Sequence, residues 1–525
     1  MSSSTPTRRQ LLRAAMFTAA GASMPVWVRA AAIERNPNFL NDAFSLGVAS
    51  GDPTPDGAVI WTRLAPLPLA PGGGVDPVPV EVRWEVAEDP KFRKILASGK
   101  TLARPESAHA VHIELRGLAP NRPVFYRFHS GAATSPTGRF TTAPAFGSQL
   151  DRMRIAWAGC QHYEQGFFTA YQDMVEQQPD LIIHTGDYIY ESSWGPQIRR
   201  HAVPEALTLE DYRATHALYK LDPDLQAAHA AAPWLYIWDD HEVDNDYAGD
   251  ISEKPDVDPK DFYQRRVAAY QAYFENQPLR RRSRLTSTGE MKIWGLNSYG
   301  NIANIFLTDG RQYRTPAACP TEYDRGGNLA PENCTDLTDK NRTYLGKTQE
   351  RWLGGVFGRG PARWNLLVQP TLFSPFNGAK VDDEPAVWTD GWSGYPESRQ
   401  RLTNLFAQRK NSNPIVLGGD THCYWVGDVK QDYGNENQKP VGAEFVTTST
   451  TSLRGGYDAI SSLLPQNPHI KHFDNREHGY GLLDLYHDRA EVDLRVIDTP
   501  LNRAGSKAHS QAKFIVEAGK PGIVT

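Results

Sequence analysis

The sequence lacks long hydrophobic runs. Beyond the first thirty residues, no stretch of about 18 consecutive apolar residues occurs in the 525-residue chain. A membrane-spanning helix needs a stretch of about that length, so we predict no membrane span in the mature protein. Internal repeats and low-complexity tracts are also absent.

An excess of charge of one sign is lacking too. Lysine and arginine total 56 and the acidic residues 61, for a net charge of -5. The basic residues are scattered, so we expect no nucleic-acid partner. The one basic cluster, residues 280–284, is interpreted as a solvated loop, with a rim that binds a polyanion or substrate as the alternative.

The first 32 residues have the pattern of a targeting segment. Arg8 and Arg9 form a twin-arginine motif, a short apolar run follows, and residues 30–32 offer small side chains for cleavage. We therefore predict export through the twin-arginine machinery to the periplasm or the medium. A disordered basic tail is the alternative.

Cysteine is scarce, and the four present are too few for a disulfide scaffold. Cys319 and Cys334 bracket a loop rich in Pro, Gly, Asn and Asp, which in an exported protein predicts a disulfide that closes the loop. Such a bond contributes about 3 kcal/mol by the chain-entropy model. Cys423 is interpreted as a small buried residue.

The length favours two domains. Residues 40–147 contain short alternating strands at 58–63, 80–86, 110–115 and 124–128, typical of an immunoglobulin- or fibronectin-like β-sandwich. Residues 150–520 alternate strands and helices, which predicts a layered α/β domain with two central sheets. The fold class is therefore α/β, with an N-terminal β-sandwich.

Four predicted strands are each followed by residues of the types that can bind metals. A single aspartate after a strand is weak evidence, because many such residues cap the next helix. Here the strands 154–158, 181–183, 234–238 and 414–417 are followed by Cys160, by Asp187 and Tyr190, by Asp240 and His241, and by Asp420 and His422. The carboxyl ends of strands are where α/β sheets place ligand groups. We therefore predict a polynuclear metal site.

The predicted ligands are chemically mixed. Tyr190 would bind only as a phenolate, and its free pKa of about 10 requires a strongly polarising cation such as Fe³⁺. A Cys160 thiolate also favours a transition metal. Asp187, Asp240 and Asp420 suit Ca²⁺, Mg²⁺ or Mn²⁺. The set implies two different metals.

Four motifs in order, at residues 159–160 (GC), 186–190 (GDYIY), 239–242 (DDHE) and 418–422 (GGDTH), carry a family resemblance. They resemble the motifs of PhoD-like alkaline phosphatases, calcineurin-like metallophosphoesterases related to purple acid phosphatases. The resemblance extends over about residues 44–518. It implies a catalytic domain with α/β/β/α layers.

The resemblance also implies site residues. Cys160, Asp187, Tyr190 and His422 match positions expected to hold Fe³⁺, with Asp187 bridging. Asp240 and Asp420 match positions for one or two Ca²⁺ ions, and Gln369 is a further candidate ligand. Cys160, Asp240 and Asp420 stand where purple acid phosphatases usually have Asp, Asn and His, which favours calcium over zinc at the second site.

The implied function is hydrolysis of phosphomonoesters, and of phosphodiesters, by a metal-activated water or oxide. His241 would assist the leaving group. Arg311 would neutralise a phosphate oxygen, with a structural arginine–aspartate pair as the alternative. No serine stands at a nucleophile elbow. We expect a monomer. The other functions considered are a phospholipase D-type phosphodiesterase and an envelope protein that binds metal and phosphate without turnover.

Several nearby residues receive supporting roles. His184 is predicted to pack or to support a ligand, and His162, Glu191 and Glu242 are predicted to orient the ligands. His469 is considered as a residue that lines the site.

Overall fold

The computed structural model describes residues 33–320, 327–379, 386–409, 412–453, 455–504 and 506–524. The predicted targeting segment lies outside these ranges. Within them, no helix is long and apolar enough to cross a membrane.

The described strands are β1 Val48–Thr54, β2 Gly57–Arg63, β3 Val80–Ala87, β4 Ile95–Ala103, β5 Ala110–Glu114, β6 Pro123–Ser130, β7 Ala133–Thr134, β8 Gly138–Thr141, β9 Met153–Ala158, β10 Leu181–His184, β11 Trp234–Tyr236, β12 Gly295–Tyr299, β13 Ala303–Leu307, β14 Asn328–Leu329, β15 Trp364–Val368, β16 Val387–Trp388, β17 Pro414–Gly418, β18 Tyr424–Val429, β19 Gly442–Val446, β20 Ile470–Asp474, β21 His478–Leu485, β22 Arg489–Ile497, β23 Ala508–Glu517 and β24 Lys520–Val524. The α-helices are α1 Ala170–Glu176, α2 Leu209–Lys220, α3 Pro223–Ala231, α4 Pro259–Asn276, α5 Gly346–Val356, α6 Pro396–Gln408 and α7 Tyr457–Ser461.

Two large sheets form the predicted α/β domain. One has ten strands in the order β24-β23-β22-β21-β9-β10-β11-β1-β2-β5, and the other has seven in the order β12-β13-β15-β17-β19-β18-β20. Strands β9, β10 and β11 are parallel neighbours, as are β13, β15, β17 and β19. Buried residues of both sheets, such as Ile155 and Leu366, belong to one continuous core cluster.

Helices cover the outer faces of the two sheets. On the seven-stranded sheet, Leu367 and Val416 pack in a cluster with Leu353 of α5 and Leu402 of α6. On the ten-stranded sheet, the ring of Trp234 packs against Tyr171 of α1 and His229 of α3. The predicted α/β/β/α layering is confirmed.

The N-terminal β-sandwich includes the edge strands of the ten-stranded sheet. Its first sheet has the order β4-β3-β6-β7, with β8 paired to β6, and packs against β1, β2 and β5. Those three strands continue the ten-stranded sheet, because Gly51 of β1 pairs in parallel with Trp234 of β11. The indole of Trp61 also donates to the carbonyl of Glu275 in α4 (2.8 Å). The sandwich and the α/β domain therefore share one sheet, the ten-stranded one.

Most predicted elements occur within a few residues of their expected bounds. The strand predicted at 234–238 ends at Tyr236, because the chain turns toward the site there. The Cys319–Cys334 disulfide is confirmed, with an S–S distance of 2.05 Å. Cys423 is buried, as predicted.

Candidate metal centre

The predicted ligand loops converge where the two sheets meet. The loop after β9 is joined to the loop after β10: the backbone N–H of Cys160 donates to the carbonyl of Gly186, and that of Gln161 to the carbonyl of Asp187 (both 3.1 Å). The loop after β17 brings Asp420 and His422 from the seven-stranded sheet. The sequence motifs thus form one site, although Cys160 and His422 are 262 positions apart in the chain.

Four of the predicted ligands have left-handed backbone conformations. The φ angles are +56° at Cys160, +56° at Asp187, +62° at Asp420 and +56° at His422. Such conformations cost non-glycine residues on the order of 1–3 kcal/mol each and cluster at functional sites. They turn each side chain off the end of its strand toward a common centre.

Neighbouring glycines allow this close approach. A Cβ atom at Gly186, where φ is +115°, would lie 2.6 Å from Cβ of Asp239. One at Gly419 would lie 2.5 Å from Oγ1 of Thr185. The glycine in each GD motif is therefore required for the loops to pack against each other.

The predicted iron ligands come together. Ligand atoms of Cys160, Asp187 and His422 all lie within 4.8 Å of one another. The hydroxyl of Tyr190 donates to Oδ2 of Asp187 (3.0 Å) and lies 3.1 Å from Nε2 of His422. Ser452 donates to this hydroxyl (2.7 Å), a contact that was not predicted from the sequence. Nothing in the sequence around Ser452 marks it, because its loop follows β19 without a ligand motif.

A second group shares Asp187. Ligand atoms of Asp187, Asp240 and His241 also lie within 4.8 Å of one another. Asp420 lines the same cavity and accepts a hydrogen bond from the hydroxyl of Thr371, a residue that was not singled out from the sequence. Asp187 is thus placed between two groups of possible ligands.

The buried acidic groups of this cluster favour the binding of a cation. Burial, together with neighbouring carboxylates, raises the pKa of Asp187 well above its ordinary value and that of Asp420 to about 6. Burial and Asp187 likewise raise the pKa of the Cys160 thiol and the Tyr190 phenol. Oδ1 of Asp187 is buried without a hydrogen-bond partner. Buried carboxylates are stable when they are paired or bind metals, so the residues present fit metal ions.

Arg311 lies beneath the centre rather than in the cavity. Its side chain has no exposed surface, and its guanidinium contacts Asp239 (2.5 Å), Asp390 (2.9 Å) and Asp240 (3.6 Å). Burial would raise the pKa of Asp240, but Arg311 and His241 bring it below its ordinary value. This arrangement corresponds to the structural arginine–aspartate pair considered as the alternative for Arg311.

His241 lines the cavity, and contacts with Glu191 and Tyr190 fix its ring. Its Nδ1 lies 2.7 Å from Oε2 of the buried Glu191, and its ring packs against that of Tyr190 at 4.2 Å between centroids. Glu242 accepts from the backbone N–H groups of Asp187, Tyr188 and Asp239 (2.7–3.1 Å). Glu191 and Glu242 thus occupy orienting positions.

Other candidates lie outside the cavity. His184 is completely buried, stacks on Trp234 and accepts from the N–H of Gly186. His162 packs its ring against Tyr190 at 4.4 Å. Gln369 is buried, and its Oε1 accepts from the indole of Trp392 (2.8 Å). His469 bonds to the carbonyl of Pro375 (2.8 Å).

The centre opens into a cavity of about 840 Å³. Its lining includes five of the predicted site residues, Asp187, Asp240, His241, Asp420 and His422. Asn245, Asp246 and Glu253 also line it and were not singled out from the sequence. The dense acidic stretch after Asp239 was the available signal. Residues of both ligand groups are thus accessible from the cavity.

Known proteins resemble the chain over nearly all its length. The profile of the family described as "PhoD-like phosphatase" matches residues 155–494, and "PhoD-like phosphatase, N-terminal domain" matches residues 29–144. Alkaline phosphatase D of Bacillus subtilis (strain 168) is 41% identical over 498 residues, covering 93% of this chain and 83% of the relative. A solved structure described as "Structure of PhoD" superposes with a TM-score of 0.88 at 40% identity and covers 93% of both chains.

These matches cover both the N-terminal part and the part that carries the four ligand motifs. The sequence identity is well above that of proteins that share only a fold. The observed fold is the one that the resemblance implied. The chain therefore belongs to the PhoD-like phosphatase family and is a phosphoester hydrolase.

Proposed function

We propose that this hydrolase works with a mixed metal centre. Cys160, Asp187, Tyr190 and His422 would hold Fe³⁺, and Asp240 and Asp420, with Asp187 shared, would hold one or two Ca²⁺ ions. The position of Asp187 carries the proposal: it belongs to both ligand groups, and its buried Oδ1 has no protein partner. A thiol and a phenol beside carboxylates provide the soft and hard donors that two different metals require.

When bound, the metals would polarise the phosphate oxygens and lower the pKa of a water molecule for attack on phosphorus. The protein itself positions the general acid, His241. His241 lies at the cavity with its Nδ1 fixed by Glu191, so its other nitrogen is free to give a proton to the departing alkoxide. We assign Arg311 the task of holding Asp239 and Asp240 in position rather than binding phosphate.

Phosphomonoesters are the proposed substrates, with phosphodiesters as a second class. Both have a phosphate that fits between the ligand groups, and the cavity of about 840 Å³ has room for an organic group on either side. A phospholipase D-type reaction would use the same residues on a larger ester. Relative rates on a phosphomonoester, a phosphodiester and phosphatidylcholine decide between these classes.

The site of action would be outside the cytoplasm. The Cys319–Cys334 disulfide fits an oxidising compartment, and Arg8 and Arg9 fit the twin-arginine route. Replacing both arginines with lysine should leave the enzyme inside the cell. Normal export of that variant would contradict the route. We also propose a monomer, which sedimentation velocity would test.

Metal removal separates the proposed roles. Chelation should abolish hydrolysis, and iron together with calcium should restore it, whereas either metal alone should not. His241→Ala should retain the wild-type metal content but lose turnover by about 10²–10⁴-fold, the usual contribution of a general acid. Equal turnover in His241→Ala and wild type would refute the assigned acid. Full activity after complete chelation would refute the metal centre.

A further inference from the structure

The lining of the cavity is chemically mixed. Beside the acidic ligand groups it includes Leu372, Phe376, Trp425 and Ile460, which belong to one hydrophobic cluster and which we name the apolar wall. The exposed side chain of Leu453 lines the same cavity. The proposed hydrolytic chemistry does not use this surface, so it requires its own explanation.

The apolar wall is a packed structure. The rings of Phe376 and Trp425 lie 5.0 Å apart, and Trp425 packs on Phe473 behind it at 4.5 Å. Only 4% of the Trp425 surface is exposed. Tyr457 of α7 stacks on the far side of Phe473 at 5.8 Å. The wall is therefore supported from behind and presents a preformed apolar surface to the cavity.

The wall is also fixed to the loops that carry the ligands. The indole N–H of Trp425 donates to Oγ1 of Thr421 (3.0 Å), which lies between Asp420 and His422. On the other loop, the hydroxyl of Thr371 donates to Asp420, and Leu372 follows immediately. The wall is thus linked to the proposed ligand Asp420 through both Thr421 and Thr371. A molecule held by its phosphate at the centre would have its organic portion next to the wall.

The described lining of the cavity is rich in negative charge. Its lining includes five carboxylates, those of Asp187, Asp240, Asp246, Glu253 and Asp420, and neither lysine nor arginine among the described residues. The nearby Arg311 and Arg314 are buried and bound to Asp390 and its neighbours. A second phosphate on a substrate would lie against these carboxylates, whose like charge disfavours it, or against apolar surface.

We propose that the apolar wall binds the alcohol portion of the substrate, and that the enzyme selects phosphoesters of apolar alkyl or aryl alcohols over esters with additional phosphates. This inference rests on the proposed hydrolytic site and names its substrate class. Burial of one methylene is worth a factor of about four in affinity. Chain length of the alcohol should therefore govern kcat/KM until the wall is covered.

A series of n-alkyl phosphates tests the proposal with the wild-type enzyme. From methyl to hexyl phosphate, kcat/KM should rise by about two- to fourfold for each methylene over at least the first few. ATP should be a poorer substrate than hexyl phosphate. Equal values along the series, or a preference for ATP, would overturn the proposal. Aryl phosphate in solution and a phospholipid in mixed micelles, as separate arms, distinguish a small alcohol from a lipid as the source of the apolar group.

Two variants locate the effect. Phe376→Ala should reduce the hexyl-to-methyl ratio by about tenfold, the order expected for losing an aromatic contact surface. Leu372→Lys should raise the ATP-to-hexyl ratio, because it adds a cation to the wall. Leu296→Lys, at a site 38% exposed on β12 and outside the cavity lining, is the matched control and should leave both ratios unchanged. Wild-type ratios in both wall variants would overturn the proposal.

A binding measurement separates this inference from the proposed hydrolysis. Methylphosphonate and hexylphosphonate cannot be hydrolysed at their P–C bonds, and calorimetry reports their affinity directly. Tighter binding of hexylphosphonate together with no turnover of any ester would retain the wall and refute the hydrolytic proposal. Turnover of esters with equal affinity for both phosphonates would retain the hydrolysis and refute the wall.

Discussion

The hydroxyl of Tyr190 donates a hydrogen bond to Oδ2 of Asp187 at 3.0 Å, while Oδ1 of the same carboxylate has no protein partner. The two residues follow one strand and are both buried. In the metal-free protein, burial raises the pKa of the phenol well above its ordinary value, so the proton remains on Tyr190. Only a strong Lewis acid at this position would displace it.

Tyr190→Phe should therefore bleach the enzyme. A phenolate bound to Fe³⁺ gives a visible charge-transfer band, and calcium would leave the phenol protonated and the protein colourless. The variant should lose the band and retain less iron, while its circular dichroism matches wild type because one hydroxyl is lost. Visible absorption and iron content are the measurements. A colourless wild type of full activity would contradict the assignment of Tyr190.

Removing the Arg311 guanidinium should destabilise the protein strongly. Asp239, Asp240 and Asp390 are each at most 2% exposed, so Arg311→Gln leaves buried carboxylates without their cation. Breaking a buried pair of this kind costs about 3–5 kcal/mol. Chemical denaturation measures the loss. Arg489→Gln, at an exposed pair with Asp488, is the control and should change the unfolding midpoint little. Equal effects of the two substitutions would contradict the structural role of Arg311.

The disulfide should stabilise the loop that it closes. Cys319 and Cys334 are separated by 15 residues, for which the chain-entropy model gives about 3 kcal/mol. The Cys319→Ser, Cys334→Ser double variant should unfold at lower denaturant concentration. Reductant should lower the midpoint of wild type and leave that of the double variant unchanged. Equal sensitivity of both proteins to reductant would show that the bond contributes nothing.

The ion pair between α1 and β22 should make stability depend on acid pH. Asp173 accepts from Nε and Nη2 of Arg495 (2.5 and 2.9 Å) and from the hydroxyl of Tyr480 (2.6 Å). Burial opposes ionisation of Asp173, but these hydrogen bonds hold its pKa below the ordinary 3.8. The stabilisation is therefore complete above pH 3.8 and disappears as pH falls through the lower, folded-state pKa.

Asp173→Asn should accordingly lower the unfolding free energy at neutral pH by on the order of 1 kcal/mol, a figure that allows for solvent screening. The difference from wild type should close only below pH 3.8. Denaturation midpoints measured between about pH 2.5 and pH 7 follow this difference. Asp488→Asn, at a side chain 72% exposed, should show no such pH-dependent difference. A constant difference across the range for Asp173→Asn would contradict the coupling.

The ligand loops could be predicted from the sequence because each follows a short apolar strand directly. Tyr190 and Asp187 share one motif, and strand ends in an α/β sheet meet at one edge. The layered fold follows from the same alternation of strands and helices. Resemblance to a known family then implied which metal each of these residues would hold.

Other features depend on contacts between distant segments and have no local pattern. The sequence left two roles open for Arg311, and only the fold brings Asp239 and Asp390 to its guanidinium. The addition of β1 to the catalytic sheet depends on one pairing, Gly51 with Trp234, across a long sequence separation. The apolar wall combines Phe376, from the loop after β15, with Trp425 of β18, and the hydrophobicity of both segments is typical of any core.

The metal content of the purified, active enzyme tests the mixed-metal centre most directly. Elemental analysis should find about one iron and at least one calcium per chain, with phosphomonoesterase activity proportional to iron across partly depleted samples. Asp187→Ala should lose both metals together, because its carboxylate belongs to both ligand groups. Fully active enzyme that contains neither iron nor calcium would contradict the centre proposed for these residues.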